Sequence, residues 1–572
     1  MFIKQRVKFY DKWGKEKSAA FDRHLYAYFS GISDVSGVTV PDGSKIPEGL
    51  FNYGRTEDLR SIRAERQQFA IFSKNVSYGD DGDKEKVAWN AFCESELNCK
   101  RVNESVRNGD FGKDYPECES IFYMARRKIS QLLGDVPRLE DLQLTFGPGA
   151  NTTVKKNTAS IFKIAATPVC SKSFLSTAPV VLDELPLLQY FHKGKLLVGG
   201  GTLAFVPKDA TKHRSIIIEP ILNTVLQKGI GSYLKKRFKL FGIDLKNQFI
   251  NRERARIGSI TGHLATVDMS SASDNIAYNI VLEFLPLNWF EFMEQCRTSF
   301  IHYKRGKNKV LSFELEKFST MGNGYTFELQ SLLFYSIAHS CCVYLDIEPD
   351  VTVFGDDVIL PSPAFDFFCR MLTSCGFKVN EKKSFSEGPF RESCGGDYVK
   401  GKNIRPFYVL DAWTDARLVS LLNFYYNDPI ISPEEREYWL SLLSTKVPRG
   451  PVGYGDGHIH DEFFVGVPAN RDKGHCGFTF KTFVMRSKKV KTTNMHREYD
   501  LDILYNLPYK RLETDLYAYR RPFTNREALQ LAYALMGAVS HQVSSSKSLS
   551  SASRKGKLIK DPCVAVRGGG IT

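Results

Sequence analysis

Three aspartates carry the chemistry open to this chain. Asp356 and Asp357 stand side by side in Val351-Thr352-Val353-Phe354-Gly355-Asp356-Asp357-Val358-Ile359-Leu360. Val351, Val353, Val358 and Ile359 favour strands and Gly355 permits a sharp turn, so the stretch predicts a β-hairpin with both carboxylates at its tip. Adjacent carboxylates between buried strands repel each other and are costly to desolvate, and a divalent cation would relieve both problems. Magnesium suits such a tip because it takes oxygen ligands and leaves room for phosphate oxygens. A solvated Asx-type turn is the alternative. Asp268 ends a short predicted strand, Leu264-Ala265-Thr266-Val267. If that strand neighbours the hairpin, the three carboxylates can hold two metal ions, which would activate a hydroxyl and stabilise a leaving pyrophosphate.

The elements around these aspartates supply further polar groups. Phe205-Val206-Pro207-Lys208-Asp209-Ala210-Thr211-Lys212-His213-Arg214 is a Pro-bounded basic loop leading into the apolar strand Ser215-Ile216-Ile217-Ile218. Lys208, Lys212 and Arg214, tied to a strand, can grip a triphosphate with little loss of entropy, or can simply be solvated. After Asp268, the run Met269-Ser270-Ser271-Ala272-Ser273-Asp274 leads to a helix predicted over residues 275–285, and Asp274 suits its N-cap. Met321-Gly322-Asn323-Gly324-Tyr325-Thr326 follows a predicted strand over 310–315 and precedes an apolar helix predicted over 326–345. Its two glycines allow close approach of the backbone to a ligand, or serve a plain loop. Beyond the hairpin lie a helix predicted over 363–375, a strand with a basic turn at Lys382-Lys383-Ser384, and a second hairpin over 390–399. Phe146-Gly147-Pro148-Gly149-Ala150-Asn151, followed by Lys155-Lys156, marks a turn and is weak evidence for a phosphate cradle.

Lys and Arg number 78 against 64 Asp and Glu, a net charge of +14, which favours a polyanionic partner. At 572 residues with 42% hydrophobic content, the chain can bury a large core. Twelve scattered cysteines suit a reducing compartment and match no zinc module; Cys341-Cys342 reads as core thiol. His458, His460, His475 and Cys476 share no recurrent zinc spacing. No apolar run is long enough to span a bilayer, and Met1–Arg6 opens no signal-peptide apolar region. Helices are predicted over 57–72 and 118–133, with Arg60, Arg63 and Arg66 near one another on a face of the first that reads as solvated, RNA contact being the alternative. Lys481, Arg486, Lys488, Lys489, Lys491 and Arg497 interleave with Phe478, Phe480, Phe483 and Tyr499, which suits either single-stranded nucleic acid or a half-buried sheet.

Taken in order, the basic loop, Asp-x5-Asp, the Gly-Asn-Gly turn, Phe-Gly-Asp-Asp and the lysine-bearing strand resemble the template-dependent RNA polymerases of positive-strand RNA viruses. More narrowly, the chain resembles the replicase catalytic subunit of single-stranded RNA bacteriophages. Phe146-Gly147-Pro148-Gly149-Ala150, residues 265–274, residues 321–329 and Phe390-Arg391-Glu392-Ser393-Cys394-Gly395 carry that likeness, which covers about residues 145–410. Phe354 departs from the family's usual tyrosine and loses a hydroxyl but no metal ligand.

The resemblance implies an α+β right-hand fold with an antiparallel palm sheet. Fingers would occupy residues 1–263, the palm 264–404, the thumb and C-terminal region 405–542, and a disordered basic tail 543–572. It implies RNA-directed RNA synthesis with Asp268, Asp356 and Asp357 as catalytic metal ligands for two Mg2+ ions, with Mn2+ as an alternative. Lys208, Lys212, Arg214, Asp274, Gly322, Asn323 and Thr326 would bind the nucleotide, Asp274 and Asn323 reading the ribose 2′-hydroxyl. Lys382 or Lys383 would donate a proton to pyrophosphate. Implied partners are RNA template and product, ribonucleoside triphosphates, host elongation factors Tu and Ts and a host ribosomal protein, in the cytoplasm of an infected bacterium and without a membrane. A reverse transcriptase, which usually has Ala before the Asp pair, and a non-catalytic RNA-binding protein are the competing readings. Gly355 and Asp274 argue against the first, and the intact aspartates against the second.

Overall fold

In the computed structural model of the protein, the described residues are 8–32, 58–147, 149–154, 163, 166–185, 195–305, 309–468, 478–484 and 557–562. Four helices come first: α1 (Lys15–Ser30), α2 (Leu59–Ser73), α3 (Asp81–Arg107) and α4 (Cys118–Leu133). The hairpin β1 (Gly201–Pro207) and β2 (His213–Ile218) leads to α5 (Ile221–Lys239) and α6 (Phe249–Thr261). Then follow β3 (Leu264–Val267), α7 (Tyr278–Phe284), and the hairpin β4 (Phe300–Arg305) and β5 (Lys309–Glu314). Next are α8 (Thr326–Tyr344), the hairpin β6 (Thr352–Phe354) and β7 (Asp357–Pro361), and α9 (Phe365–Ser374). The hairpin β8 (Phe390–Ser393) and β9 (Gly396–Val399), α10 (Asp415–Phe424), β10 (Phe478–Val484) and β11 (Lys557–Pro562) complete the elements used below.

A helix that is apolar on every side must be covered on every side. α8 meets that requirement: Leu329, Leu332, Leu333, Phe334, Ile337, Ala338, Cys341 and Cys342 are all buried in the largest core. α4, α5, α7 and α9 supply its neighbours, together with Val267 of β3, Val353 of β6 and Val358 of β7. The Cys341-Cys342 pair is core thiol, as its apolar run suggests. A second core joins α1, α2 and α10 around Trp413 and Trp439, so the chain's beginning packs against its later part. Phe92 of α3 and Leu203, Ile217 and Ile301 of the β1, β2 and β4 strands form a third.

Two sheets frame the aspartates. One is antiparallel, in the order β3-β7-β6; the other is β2-β1-β4-β5. Arg391 of β8 fastens the first of them. Its guanidinium is wholly buried and donates to the Leu264 carbonyl at 2.6 Å and to the carbonyls of Ser386, Glu387 and Gly388 at 2.8–3.0 Å. It therefore ties the start of β3 to the loop before β8.

Several expectations need correction. The helix predicted over 275–285 begins only at Tyr278, with Ala277 at its N-cap, so Asp274 is not the cap; it lies in a short 3-10 turn, Ala272–Asn275. The arginines of α2 do not line a solvated face. Arg66 is buried and bonded to the buried Asp397, and Arg63 pairs with Asp428; Arg60 alone is exposed. Within the tail expected to be disordered, Lys557–Pro562 pairs with β10, and the rest of the tail lies outside the described residues. In β10 Phe480 and Thr482 are buried on one face with exposed Lys481 between them, and Phe483, on the face of Lys481, is buried as well. Arg486, Lys488, Lys489, Lys491, Arg497 and Tyr499 lie outside the described residues, as do Lys155, Lys156, His475 and Cys476. His458 is buried and bonds Thr482 Oγ1 and the Pro451 carbonyl.

Candidate active site

The predicted hairpin is present. Phe354 of β6 faces Asp357 of β7, leaving Gly355 and Asp356 as the turn. Gly355 has φ +68°, and a Cβ there would lie 2.6 Å from the Phe327 ring, so both backbone and space demand glycine. α8 holds the turn from behind: Ser331 Oγ accepts from the Gly355 N–H at 3.0 Å, and Phe354 meets Phe327 edge-to-face at 4.9 Å. Val358 pairs with Val267 across β7 and β3. That is the last pair of the ladder, and it leaves Asp357 and Asp268 as the adjoining residues. The two carboxylates that the sequence separates by 89 positions thus meet at one end of the sheet.

Each carboxylate is held by a different neighbour. Asn380 Nδ2 donates to Asp268 Oδ2 at 2.8 Å, and the Asn380 N–H donates to the Asp268 carbonyl at 2.9 Å. The Cys394 N–H and Ser393 Oγ donate to Asp357 Oδ1 at 3.2 and 3.3 Å. Those two donors sit on the β8–β9 turn, where Cys394 and Gly395 both have positive φ, the backbone of a tight two-residue hairpin. Burial pushes the Asp357 carboxyl up to about 7, and the charges of Asp356 and Asp268 push the same way. Burial also raises Asp268, with Asp356 adding to it and Lys383, Asn380 and Lys208 opposing. Among the described residues, no three His, Cys, Asp or Glu side chains form a ready-made metal cage. Magnesium does not require one; one or two carboxylates plus substrate phosphate and water suffice. An all-oxygen donor set whose members destabilise one another's charge fits such an ion.

Lys208 and Lys212 lie in the β1–β2 loop and Arg214 is the second residue of β2; Asp209 Oδ1 shapes that loop by accepting from the Thr211 and Lys212 N–H groups at 2.9 Å. Burial pushes the Lys208 ammonium down, as do Arg214, Lys212 and Lys383. Of the two candidate lysines, Lys383 stands in the field of the aspartates. Burial alone would lower its ammonium, but Glu392, Asp268, Asp357 and Asp356 together raise it.

β2 gathers the groups predicted to meet a nucleotide. Ser215 Oγ donates to Asp274 Oδ2 at 3.2 Å. Two residues on, about 7 Å along the strand, the Ile217 N–H donates to the Met321 carbonyl at 2.9 Å. Gly322 is pressed against the same strand edge, its φ +134° and a Cβ there only 2.1 Å from the Ile217 carbonyl oxygen. Asn323 uses its Oδ1 to accept from the Tyr325 N–H, which leaves its amide N–H groups as donors. Thr326 Oγ1 donates to the Thr320 carbonyl at 2.8 Å and steadies the turn from within.

Sequence reasoning missed Lys317. It is wholly buried, lies over the Phe92 ring at 4.1 Å, and pairs with Asp274 at 3.2 Å and Glu96 at 3.1 Å. Asn380, Ser384, Ser393 and Cys394 were missed as well. Only the Cys394-Gly395 turn carried a local signal.

Comparison with known proteins identifies relatives of the chain. Residues 60–553 match the family profile described as RNA replicase, beta-chain. The RNA-directed RNA polymerase subunit beta of Escherichia virus Qbeta is 38% identical over 405 residues, 68% of each chain. The RNA-directed RNA polymerase beta chain of Enterobacteria phage fr is 32% identical over 426 residues, 72% of this chain and 76% of that one. Among solved structures, an insertion-loop deletion mutant of the RNA-dependent RNA polymerase of a human picorbirnavirus aligns with TM-score 0.38 and 13% identity, over 75% of this chain and 92% of that one. The chain is an RNA-directed RNA polymerase, a viral RNA-replicating enzyme whose substrates are an RNA template and ribonucleoside triphosphates. It belongs to the RNA replicase beta-chain family of RNA bacteriophages. Among the described residues no helix is long and apolar enough to cross a membrane.

Proposed function

We propose that RNA synthesis takes place at the β3–β7 end, with Asp268 and Asp356 as principal metal ligands and Asp357 assisting. What supports this reading is the β7–β3 pairing, whose last pair, Val358 and Val267, leaves Asp357 and Asp268 as the adjoining residues, together with the charges of Asp356 and Asp268 acting on Asp357. Two bound magnesium ions would lower the pKa of the attacking hydroxyl and stabilise the leaving pyrophosphate. The 3′-oxygen of the growing strand forms a bond to the α-phosphorus as the α–β bridging P–O bond breaks. Lys208, Lys212 and Arg214 neutralise the incoming triphosphate. Lys383, rather than Lys382, donates the proton to pyrophosphate; Glu392 and the three aspartates, whose charges hold it as an ammonium, support that choice. Asp274 and Asn323 hold the ribose 2′-hydroxyl, with Gly322 and Thr326 shaping the turn beneath it.

In this reading the β3-β7-β6 sheet is the palm of a right hand, within residues 264–404. Residues 1–263 contribute fingers and 405–542 the thumb and C-terminal region. Host elongation factors Tu and Ts, a host ribosomal protein and a cytoplasmic setting in the infected bacterium follow from family likeness alone. The test is Asp356→Asn, which keeps shape and removes a charge. The expected result is loss of RNA synthesis with an unchanged melting transition. Near-normal synthesis by the folded variant would remove the aspartates from the mechanism.

A further inference from the structure

Phe146, Gly147 and residues 149–151 have no part in the mechanism above, yet they form one wall of a cleft of about 220 Å3. Lys163, Lys228 of α5, and Gly322 and Gly324 line the remainder. Lys163 is 2% exposed, and its ammonium donates to the carbonyls of Gly147 and, at 2.6 Å, Gly149. Lys228 Nζ approaches the Phe146 carbonyl at 3.4 Å. Both ammoniums therefore converge on one short stretch of backbone.

Carbonyl oxygens satisfy hydrogen bonds but do not neutralise charge. Among the described residues no carboxylate pairs with Lys163. Burial first, and then the charge of Lys228, push its ammonium down to about 8. A buried cation next to a second cation is unfavourable for folding by itself. An anion in the cleft would offset the Lys163 charge, and Lys163 retains a third N–H for it after its two carbonyl bonds.

The walls say which anion. The volume falls below the roughly 300–1,000 Å3 of sites that enclose a whole small molecule. Phe146 is buried, and its ring offers no open face for a base to stack on. A Cβ at Gly147 or Gly149 would meet nothing within 4 Å, so a bulky group can approach the loop closely. Gly322 and Gly324 pack directly on β2 and α5; a Cβ on Gly324 would sit 2.7 Å from the Lys228 backbone nitrogen. The cleft is thus rigidly joined to the turn that carries Asn323.

We propose that this cleft is a phosphate subsite for the RNA strand, where Lys163 and Lys228 grip one backbone phosphodiester beside the Gly322-Asn323-Gly324 turn. The identity of the strand rests on the chain's RNA-polymerase activity. Catalysis does not enter the test, so an error in the catalytic assignment would leave its outcome untouched. The full-length chain is titrated with a fluorescent 20-nucleotide single-stranded RNA between 50 and 200 mM salt, without nucleotide. The double variant Lys163→Gln/Lys228→Gln is expected to lower the slope of log affinity against log salt by about 0.7, one phosphate contact on a single strand. Glutamine keeps donors for the loop carbonyls while removing the charge. Should the double variant fail to fold, Lys228→Gln, at a half-buried position, must lower the slope in the same direction. A wild-type slope in the folded variants overturns the proposal. A wild-type slope with weakened equilibrium binding of a ribonucleoside triphosphate also overturns it and assigns the cleft to the triphosphate instead.

Discussion

Replacing Asp274 with alanine removes a carboxylate that faces two ways. Its Oδ1 accepts from Lys317 at 3.2 Å and its Oδ2 from Ser215 at 3.2 Å. A carboxylate offers about four lone-pair sites, so two remain for a ribose 2′-hydroxyl. A hydrogen bond to a charged group contributes about 1.5–3 kcal/mol. At 1.36 kcal/mol per tenfold in rate, its loss should narrow the preference for ribo- over deoxynucleotides by roughly 10- to 150-fold in kcat/KM. The same substitution weakens the fold. Burial acts to lower the Lys317 ammonium, and Asp274 and Glu96 outweigh it. Breaking a buried pair entirely costs about 3–5 kcal/mol; here Glu96 remains at 3.1 Å, so the loss should fall below that range. Asp274→Asn, which keeps an oxygen for Lys317, should be more stable than the alanine variant while still narrowing the preference. The assay is single-nucleotide incorporation with matched ribo- and deoxynucleotides, with melting temperature measured on the same preparations. A lowered melting temperature with an unchanged sugar preference would confine Asp274 to a structural role and refute the argument.

Two further outcomes follow from the cations and from a buried acid. Arg214→Lys loses the planar fork that suits phosphate, so KM for nucleotide should rise more than the Kd for RNA; an equal loss of both would make Arg214 a general RNA contact. Glu219 is wholly buried, accepts from Thr298 Oγ1 and from Gln227 Nε2, and burial raises its carboxyl from 4.5 to about 7. The folded state then holds a proton that the unfolded state releases, so stability is greatest below pH 4.5 and falls as pH rises to 7. The loss attributable to this group is about 3 kcal/mol. Glu219→Gln cannot ionise and should flatten the decline in melting temperature between pH 5 and 8; an unaltered decline would show that another group causes it.

Local elements were legible in the chain because their causes are local. Alternating β-formers around Gly355-Asp356 specify the hairpin, since only a residue tolerant of positive φ can turn there. The apolar run from Thr326 specifies a helix buried on all sides, and it ends within a residue of the expected position. α4 spans the predicted 118–133. The strand ending at Asp268 and the basic β1–β2 loop were visible for the same reason. The helix start after Asp268 was misread because Asp274 is a good N-cap type. Its carboxylate instead satisfies Lys317, 43 positions away.

Residue types and order, through local propensity and family likeness, therefore determined which side chains could do chemistry. Tertiary structure alone decided which of them meet. The β3–β7 pairing leaves Asp268 and Asp357 as adjoining residues, and β2 brings Asp274 within two residues' length of the Gly-Asn-Gly turn. Arg66 is taken from a supposed solvated face to Asp397, 331 positions away. The physical reason is that a pairing between distant segments depends on how whole elements pack and desolvate, and no window of sequence contains that information. A buried charge is the clearest case: nothing local in the sequence marks Lys317 or Arg391 as buried, and the structure surrounds the first with carboxylates and the second with carbonyls.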